Sequence, residues 1–320
     1  MTRDETVMLL SELVKHAPYD CTRETLYSSQ SLYDGYRVGE PDSYRDSYDG
    51  RVYQHYINAG KGYEADEIEQ VMRVLHDSAI SCAMRTFLSY IPRCSVVGIM
   101  GGHSLARTSE DYVQVARIAR RLTENGALMI SGGGPGAMEA THLGAWMAGR
   151  TDAEFDEAMS VMSYAPTYSD DGWLDTQFEV MERFPQTTYK SLGLPTWLYG
   201  HEPPTPLATH IAKFFDNSIR EDAILTIAYG GLVFAPGSAG TLQEMFQDAV
   251  QNHYLSLGIS SPMVFFGKKF WTEEVPVYTL MQFLMKNGHY KNLRLSISDD
   301  SDEIVAILEA FREEARHFDD

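Results

Sequence analysis

From Ser95 onward the chain alternates between short apolar runs and longer segments whose apolar positions recur every three or four residues. "SVVGIM" reads as a buried strand. The following "SEDYVQVARIARRLTEN" sets Val113, Val115, Ile118 and Leu122 at helical spacing and stops at Gly126, a C-terminal cap. "ALMIS" is the next strand and "PGAMEATHLGAWMAG" the next helix, with Pro135 in its first turn. After a long irregular connection the alternation resumes through "LPTWLYG", "LATHIAKFFDNSIREDAILTIA", "GLVFA", "TLQEMFQDAVQNHY", "SPMVFFG", "FWTEEVPVYTLMQFLMKNG", "LRLSIS" and "SDEIVAILEAFREEARHF". Strand, helix and strand in succession require right-handed crossovers and a parallel sheet covered on both faces.

Residues 1–94 follow a different pattern. "YDCTRETLYSSQSLYDGYRVGEPDSYRDSYDGRVYQHY" is rich in Tyr, Asp and Ser without clear periodicity, and "EADEIEQVMRVLHDSAISCAMRTFLSYI" then places Ile68, Val71, Met72, Leu75 and Ile80 near one helical face. The predicted organisation is a helical, loop-rich N-terminal extension (1–94) on a doubly wound, Rossmann-like α/β domain (95–320). The tyrosines of the extension read as packing or interface groups, covering a site or joining copies of the chain.

Composition narrows the partners. With 44% hydrophobic residues in 320, the chain can bury a large core. A formal net charge of -19, from 26 basic and 45 acidic residues, argues against nucleic acid or an anionic membrane as partner. Three cysteines, Cys21, Cys82 and Cys94, at wide spacings suggest neither a disulfide framework nor a zinc knuckle. The mildly amphipathic, acidic start "MTRDETVMLLSELVKH" lacks the features of a secretion signal, and no apolar run is long enough to span a bilayer, so a cytoplasmic location is expected.

Chemistry concentrates in three glycine-bearing turns, each between a predicted strand and helix: "GIMGGHSLARTSED", "SGGGPGAMEA" and "FAPGSAGTLQE". In a parallel sheet these turns share one edge, where ligands of open α/β folds bind. In the third turn Gly237, Ser238, Ala239 and Gly240 let backbone N–H groups approach an anion, helped by the helix dipole. The same stretch has the T-x-x-E spacing of a capping box, Thr241 to Glu244, and taken alone both readings stand. Gly132, Gly134 and Ala137 formally satisfy a G-x-G-x-x-A dinucleotide fingerprint with Asp152 about 20 residues on. That motif normally opens the first βα unit, whereas a strand and helix precede this one.

In this order, "SVVGIMGGHSLA", "GALMISGGGPGAMEATHLGA" and "SIREDAILTIAYGGLVFAPGSAGTLQE" resemble the Lonely Guy (LOG) family, often mislabelled lysine decarboxylases, whose hallmark is P-G-G-x-G-T-x-x-E. "GGGPGAMEA" and "HEPPTP" are most similar to the bacterial nucleotide 5'-monophosphate nucleosidases. The resemblance covers about residues 95–300. It implies hydrolysis of the N-glycosidic bond of a nucleoside 5'-monophosphate to free base and ribose 5-phosphate, by a dimer that uses no metal or redox cofactor. By motif, Glu244 matches the family glutamate and Arg220 the active-site arginine, one residue further from Pro236 than in the family. Two departures stand out. Ser238 replaces the second family glycine, and the connection between residues 150 and 200 is longer than in the compact plant-hormone enzymes, so base preference does not carry over.

The resemblance assigns roles that each have a plainer alternative. Cleaving C1'–N builds positive charge on the ribose, so Glu244 is the candidate carboxylate, with capping as its alternative. Arg220 would hold ribose hydroxyls, phosphate or departing base through its planar fork; otherwise it is a surface charge paired with Glu221 or Asp222. Phosphate is expected on Gly237, Ser238, Gly240 and Thr241, with Gly133, Gly134 and Gly136 closing the other side, and nucleotide contacts on Gly102, His103 and Ser104, which otherwise form a simple βα loop. Glu139 reads as a first-turn dipole partner. His201, Glu202 and His210 lack the H-E-x-x-H spacing, and prolines break that helix, so no zinc site is expected. A protein that binds a nucleotide without turnover, as molybdenum-cofactor carriers of similar glycine-rich architecture do, is the alternative of a different class.

Overall fold

The computed structural model describes residues 11–316 apart from positions 13 and 16. The first ten residues of the amphipathic start, the last two of the predicted C-terminal helix and the two residues after it lie outside the described residues. Seven parallel strands form one sheet: β1 (Val96–Met100), β2 (Leu128–Ser131), β3 (Ser191–Gly193), β4 (His210–Ile211), β5 (Leu232–Phe234), β6 (Pro262–Phe266) and β7 (Arg294–Ser298), in the order β4-β3-β2-β1-β5-β6-β7. The chain winds outward from β1 to β4, then returns to lay β5 on the other side of β1. Met100 is in register with Phe234, so β1 and β5 end level and their following loops diverge from one point, the place where such sheets open a crevice.

Between and before the strands lie α1 (Ser29–Leu32), α2 (Tyr48–Asn58), α3 (Glu67–Leu88), α4 (Glu110–Glu124), α5 (Ala137–Trp146), α6 (Asp152–Met162), α7 (Trp173–Arg183), α8 (Asn217–Ile227), α9 (Ala239–Tyr254), α10 (Val277–Lys286) and α11 (Ser301–Ala315). Side chains alternate across the pleat, which divides the core in two. Val97, Ile99, Met129 and Val233 pack with α4, α5 and α11, while Met100, Ile130, Leu192 and Phe234 pack with α8 and with Tyr27, Val52 and Ile80 of the extension. The sheet is thus covered on both faces.

The extension is fastened by buried charge. Asp49 receives Lys213 Nζ at 2.6 Å, Trp197 Nε1 at 2.9 Å and the Tyr44 hydroxyl at 2.6 Å, and both Asp49 and Lys213 are fully buried. Tyr27 exchanges two backbone hydrogen bonds with Ile211, which covers the exposed edge of β4.

Four expectations need correction. The connection after residue 150 is not irregular: it holds α6, opened by a Thr151–Glu154 capping box, and α7. The run from Leu207 to Ala228 is not one helix; β4 comes first, and α8, which carries Arg220, starts only where Asp216 caps the N–H groups of Ser218 and Ile219. Pro135 precedes α5, whose cap is Gly136 at φ +68. In α3 the period is right and the face is displaced: Met72 and Ile80 are buried, but Ile68 and Val71 are exposed. Arg73, His76 and Asp77 take their place inside because each is paired, Arg73 with Glu69, and His76 with Asp77 and Tyr27. Among the described residues no disulfide joins Cys21, Cys82 and Cys94 to one another. Among the described residues no helix is long and apolar enough to cross a membrane.

Candidate functional site

The three glycine turns converge and are tied together. Gly102 N–H donates to the Pro236 carbonyl at 2.9 Å, and Ala137 N–H donates to the Gly102 carbonyl at 3.1 Å. This closeness depends on missing side chains. A Cβ on Gly136 would stand 2.3 Å from the Gly102 oxygen, and one on Gly237 would stand 3.0 Å from the Gly102 nitrogen and 2.3 Å from Thr241 Oγ1.

At the third turn α9 begins at Ala239, with Ser238 in the cap position and no side chain accepting from its first turn. Thr241 and Glu244 therefore both lie inside the helix, and the capping box suggested by their spacing is not formed. Ser238, Ala239 and Gly240 are exposed, and a Cβ on Gly240 would meet nothing within 4 Å. A 16-residue helix thus presents an uncapped amino end to open space at the strand switch point, which suits an anion.

One turn further into α9, Glu244 meets Arg220. Arg220 Nε donates to the Leu194 carbonyl at 2.8 Å, and its Nη1 stands 3.9 Å from Glu244 Oε1; both side chains are 12% exposed. The guanidinium occupies the space left by Gly132, where a Cβ would fall 2.2 Å from Nη2. Burial pushes the Glu244 carboxyl up to about 7, with Arg220 opposing the shift and Glu221 adding to it. Glu244 thus changes protonation near neutral pH, where a general base or acid is most effective.

The second and first turns are more occupied. Gly133 N–H donates to Ser131 Oγ at 3.1 Å, and the Gly133 carbonyl accepts from Thr205 N–H at 2.8 Å. Thr205 belongs to the "HEPPTP" segment, which the extension also holds through the Tyr33 hydroxyl donating to the Pro204 carbonyl. That segment brings Glu202 over the second turn, with Oε2 3.8 Å from the position of a Gly134 Cβ and Oε1 3.9 Å from His103 Nε2. His103, half-exposed, meets Tyr168 edge to face at 6.1 Å, and with Ser104, Pro135 and Gly136 these two rings border a cavity of about 230 Å³.

Glu139 faces inward to Arg107 in a fully buried ion pair rather than serving only the helix dipole. Asp152 of the formal dinucleotide fingerprint lies at the exposed start of α6, paired with Arg120, and not at a strand end. Among the described residues no cluster of His, Cys, Asp or Glu is placed to hold a metal ion. Glu202, Gly132 and Tyr168 were not singled out from the sequence as site residues. The only hints were the "HEPPTP" similarity for Glu202 and the first fingerprint glycine for Gly132; nothing marks Tyr168.

No protein-family model matches the chain, and no curated protein matches it. Among solved structures it is similar to the molybdenum cofactor binding protein from the phototrophic bacterium Rippkaea orientalis, at 12% identity over 68% of this chain and 96% of that one, with a TM-score of 0.41. It is also similar to the Moco carrier protein from Chlamydomonas reinhardtii (16% identity, 68% and 98% covered, TM-score 0.40) and to the structural-genomics protein TM1055 (18%, 67% and 98%, TM-score 0.43). At these identities the likeness concerns the fold alone.

Proposed function

We propose that the protein hydrolyses the N-glycosidic bond of a nucleoside 5'-monophosphate, giving free base and ribose 5-phosphate. The observation that carries this reading is a buried, titratable Glu244 beside Arg220, on the same helix whose uncapped amino end faces open space. Five residues of helical rise, about 7.5 Å, separate the helix start from Glu244, and the side chain leans back toward that start, which matches a phosphate and an anomeric carbon at opposite ends of one ribose.

The phosphate binds the N–H groups around Gly237, Ser238, Gly240 and Thr241. The phosphate does not itself react, and its binding energy orients the sugar on which the reacting charge develops. The second turn, with Gly133, Gly134 and Gly136, receives the sugar side, because the Glu202 carboxylate above it disfavours a second anion. Gly102, His103 and Ser104 flank the nucleotide. As C1'–N breaks, the bonding pair leaves with the base nitrogen, which takes up a proton. Ionised Glu244 stabilises the developing oxocarbenium ion and accepts a proton from the water whose oxygen bonds to C1'. Arg220, held by Leu194, steadies the sugar or the departing base. Homodimerisation belongs to the same reading and is measured by light scattering.

The test is incubation with AMP, GMP, CMP, UMP and IMP, following free base by chromatography. Release that disappears in Glu244→Gln supports the hydrolase. Retained monophosphate binding without release from any substrate supports the binding protein instead.

A further inference from the structure

A second cavity, about 510 Å³, opens between α2, the 61–64 loop, α3 and the first turn of α8. Its volume is that of a small-molecule pocket. Neither Arg220 nor Glu244 lines it. Its walls are largely apolar and aromatic, from Tyr56 and Phe215 inside to Val74 and Ile219 at the exposed mouth.

The charges around it are mostly spent. Asp77 accepts from the N–H groups of Phe215 and Asp216 and from His76, and Asp216 caps α8. Lys61 and Arg73 face Glu64, Asp77 and Asp216, an excess of one negative charge that disfavours an anion. Two polar atoms are left over. Arg73, nine-tenths buried and lying 4.5 Å over the Tyr56 ring, uses Nε on Glu69 and Nη1 on the Gly60 carbonyl, which leaves Nη2 with no hydrogen-bond partner. Asn217 donates Nδ2 to Glu221, which leaves Oδ1 likewise unpartnered and buried. A buried donor and a buried acceptor without partners are costly, and both belong to side chains that line the cavity.

We infer that this cavity binds a neutral, planar heteroaromatic molecule bearing both a ring acceptor and an N–H donor, the chemistry of a free nucleobase. The acceptor takes the Arg73 guanidinium, the donor meets the Asn217 carbonyl, and the ring lies against Tyr56 and Phe215. The site is independent of turnover at Glu244.

Calorimetric titration of the full chain with adenine, hypoxanthine and uracil tests this, using Val74→Trp to fill the mouth, Asn217→Leu to remove the acceptor, and Arg220→Ala as the variant of the other site. Expected is one saturable site per chain, weakened about tenfold or more by Val74→Trp and Asn217→Leu and changed less than about twofold by Arg220→Ala. Val74 is 64% exposed, so its variant is not expected to compromise folding, and an unchanged melting temperature checks this. Absence of binding by all three bases overturns the inference. So does binding that ignores Val74→Trp and is lost with Arg220→Ala, which would place the base at the proposed hydrolytic site. Failure of base release from monophosphates leaves these expectations unchanged.

Discussion

Replacing Gly132 by alanine tests the arginine–glutamate pair without substituting either partner. The new Cβ would stand 2.2 Å from Arg220 Nη2 and 2.5 Å from Met138 Sδ, and both obstacles are ends of flexible side chains, so the fold yields by moving the guanidinium. Gly132 lacks a positive φ, so alanine brings no backbone strain. Two unit charges at the observed 3.9 Å interact by about 4 kcal/mol at an effective dielectric constant of about 20. A retreat of about 1 Å weakens this by roughly 1 kcal/mol, which raises the Glu244 carboxyl by about 0.7 pH unit above its position near 7. Glu244 must be ionised to act, so activity rises with pH through that value, and the limb shifts upward in the variant. Misplacement of the arginine adds a loss of up to about a hundredfold in kcat/KM even at high pH. The assay is the pH dependence of base release from the preferred monophosphate, with circular dichroism confirming the fold. A wild-type rate with an unmoved limb, or a limb displaced toward lower pH, would refute the reasoning.

Gly240→Ala meets no protein atom within 4 Å, so the stability should hold or rise, by up to about 1 kcal/mol of helix propensity, while the KM for a monophosphate increases; unchanged kinetics would remove the phosphate from this turn. Asp248, fully buried on α9 with Oδ2 unpartnered, is pushed up to about 7 by burial. Its folded value lies above the unfolded one, so its protonated form supports the fold at low pH and stability falls as pH rises from about 4 to 7, by about 2 kcal/mol above pH 5.5. Urea titrations at pH 5.5 and 8 should show a smaller difference for Asp248→Asn than for wild type. Lys213→Met strands Asp49 as a buried charge and should cost about 3–5 kcal/mol in urea unfolding, with partial recovery in the Lys213→Met, Asp49→Asn double variant.

The doubly wound fold was legible because its strands are apolar runs and most of its helices keep a clear period. What escaped did so for definite physical reasons. β4 contributes two residues to the sheet, too few for any alternation to register. The buried face of α3 carries Arg73, His76 and Asp77, and hydropathy cannot see that each is neutralised by a partner. T-x-x-E marks a helix start only if the helix begins at the threonine, and α9 begins two residues earlier. The site suffered the same limit. Glu244, Arg220 and the glycines are named by local motifs, whereas Glu202 reaches the second turn only through the way its loop is tied to Gly133 and Tyr33.

The two arginine–glutamate pairs near these turns differ in a way that separates structure from chemistry. Arg107 and Glu139 are both about 1% exposed and saturated: Nε and Nη2 bind the carboxylate, Nη1 donates to the carbonyls of Met162 and Ala165 and to Thr176, and Nη2 also reaches the Trp173 carbonyl. Such a pair has no capacity left for a ligand, and breaking it leaves a buried charge uncompensated. Arg220 and Glu244 are nearly as enclosed, yet among the described residues the arginine has a single hydrogen bond, from Nε, and the carboxylate accepts none. Their 3.9 Å separation is too long for a hydrogen bond. Burial without saturation costs stability, and it leaves two nitrogens and two oxygens to be satisfied by something other than the protein. On this comparison Glu139→Gln should fail chiefly in folding, while Glu244→Gln should fold at least as well as wild type at pH 8, because it removes a carboxylate that burial disfavours, and should lose turnover. If instead Glu244→Gln unfolds the chain and Glu139→Gln spares it, the division between the pairs is reversed and Glu244 is a structural group.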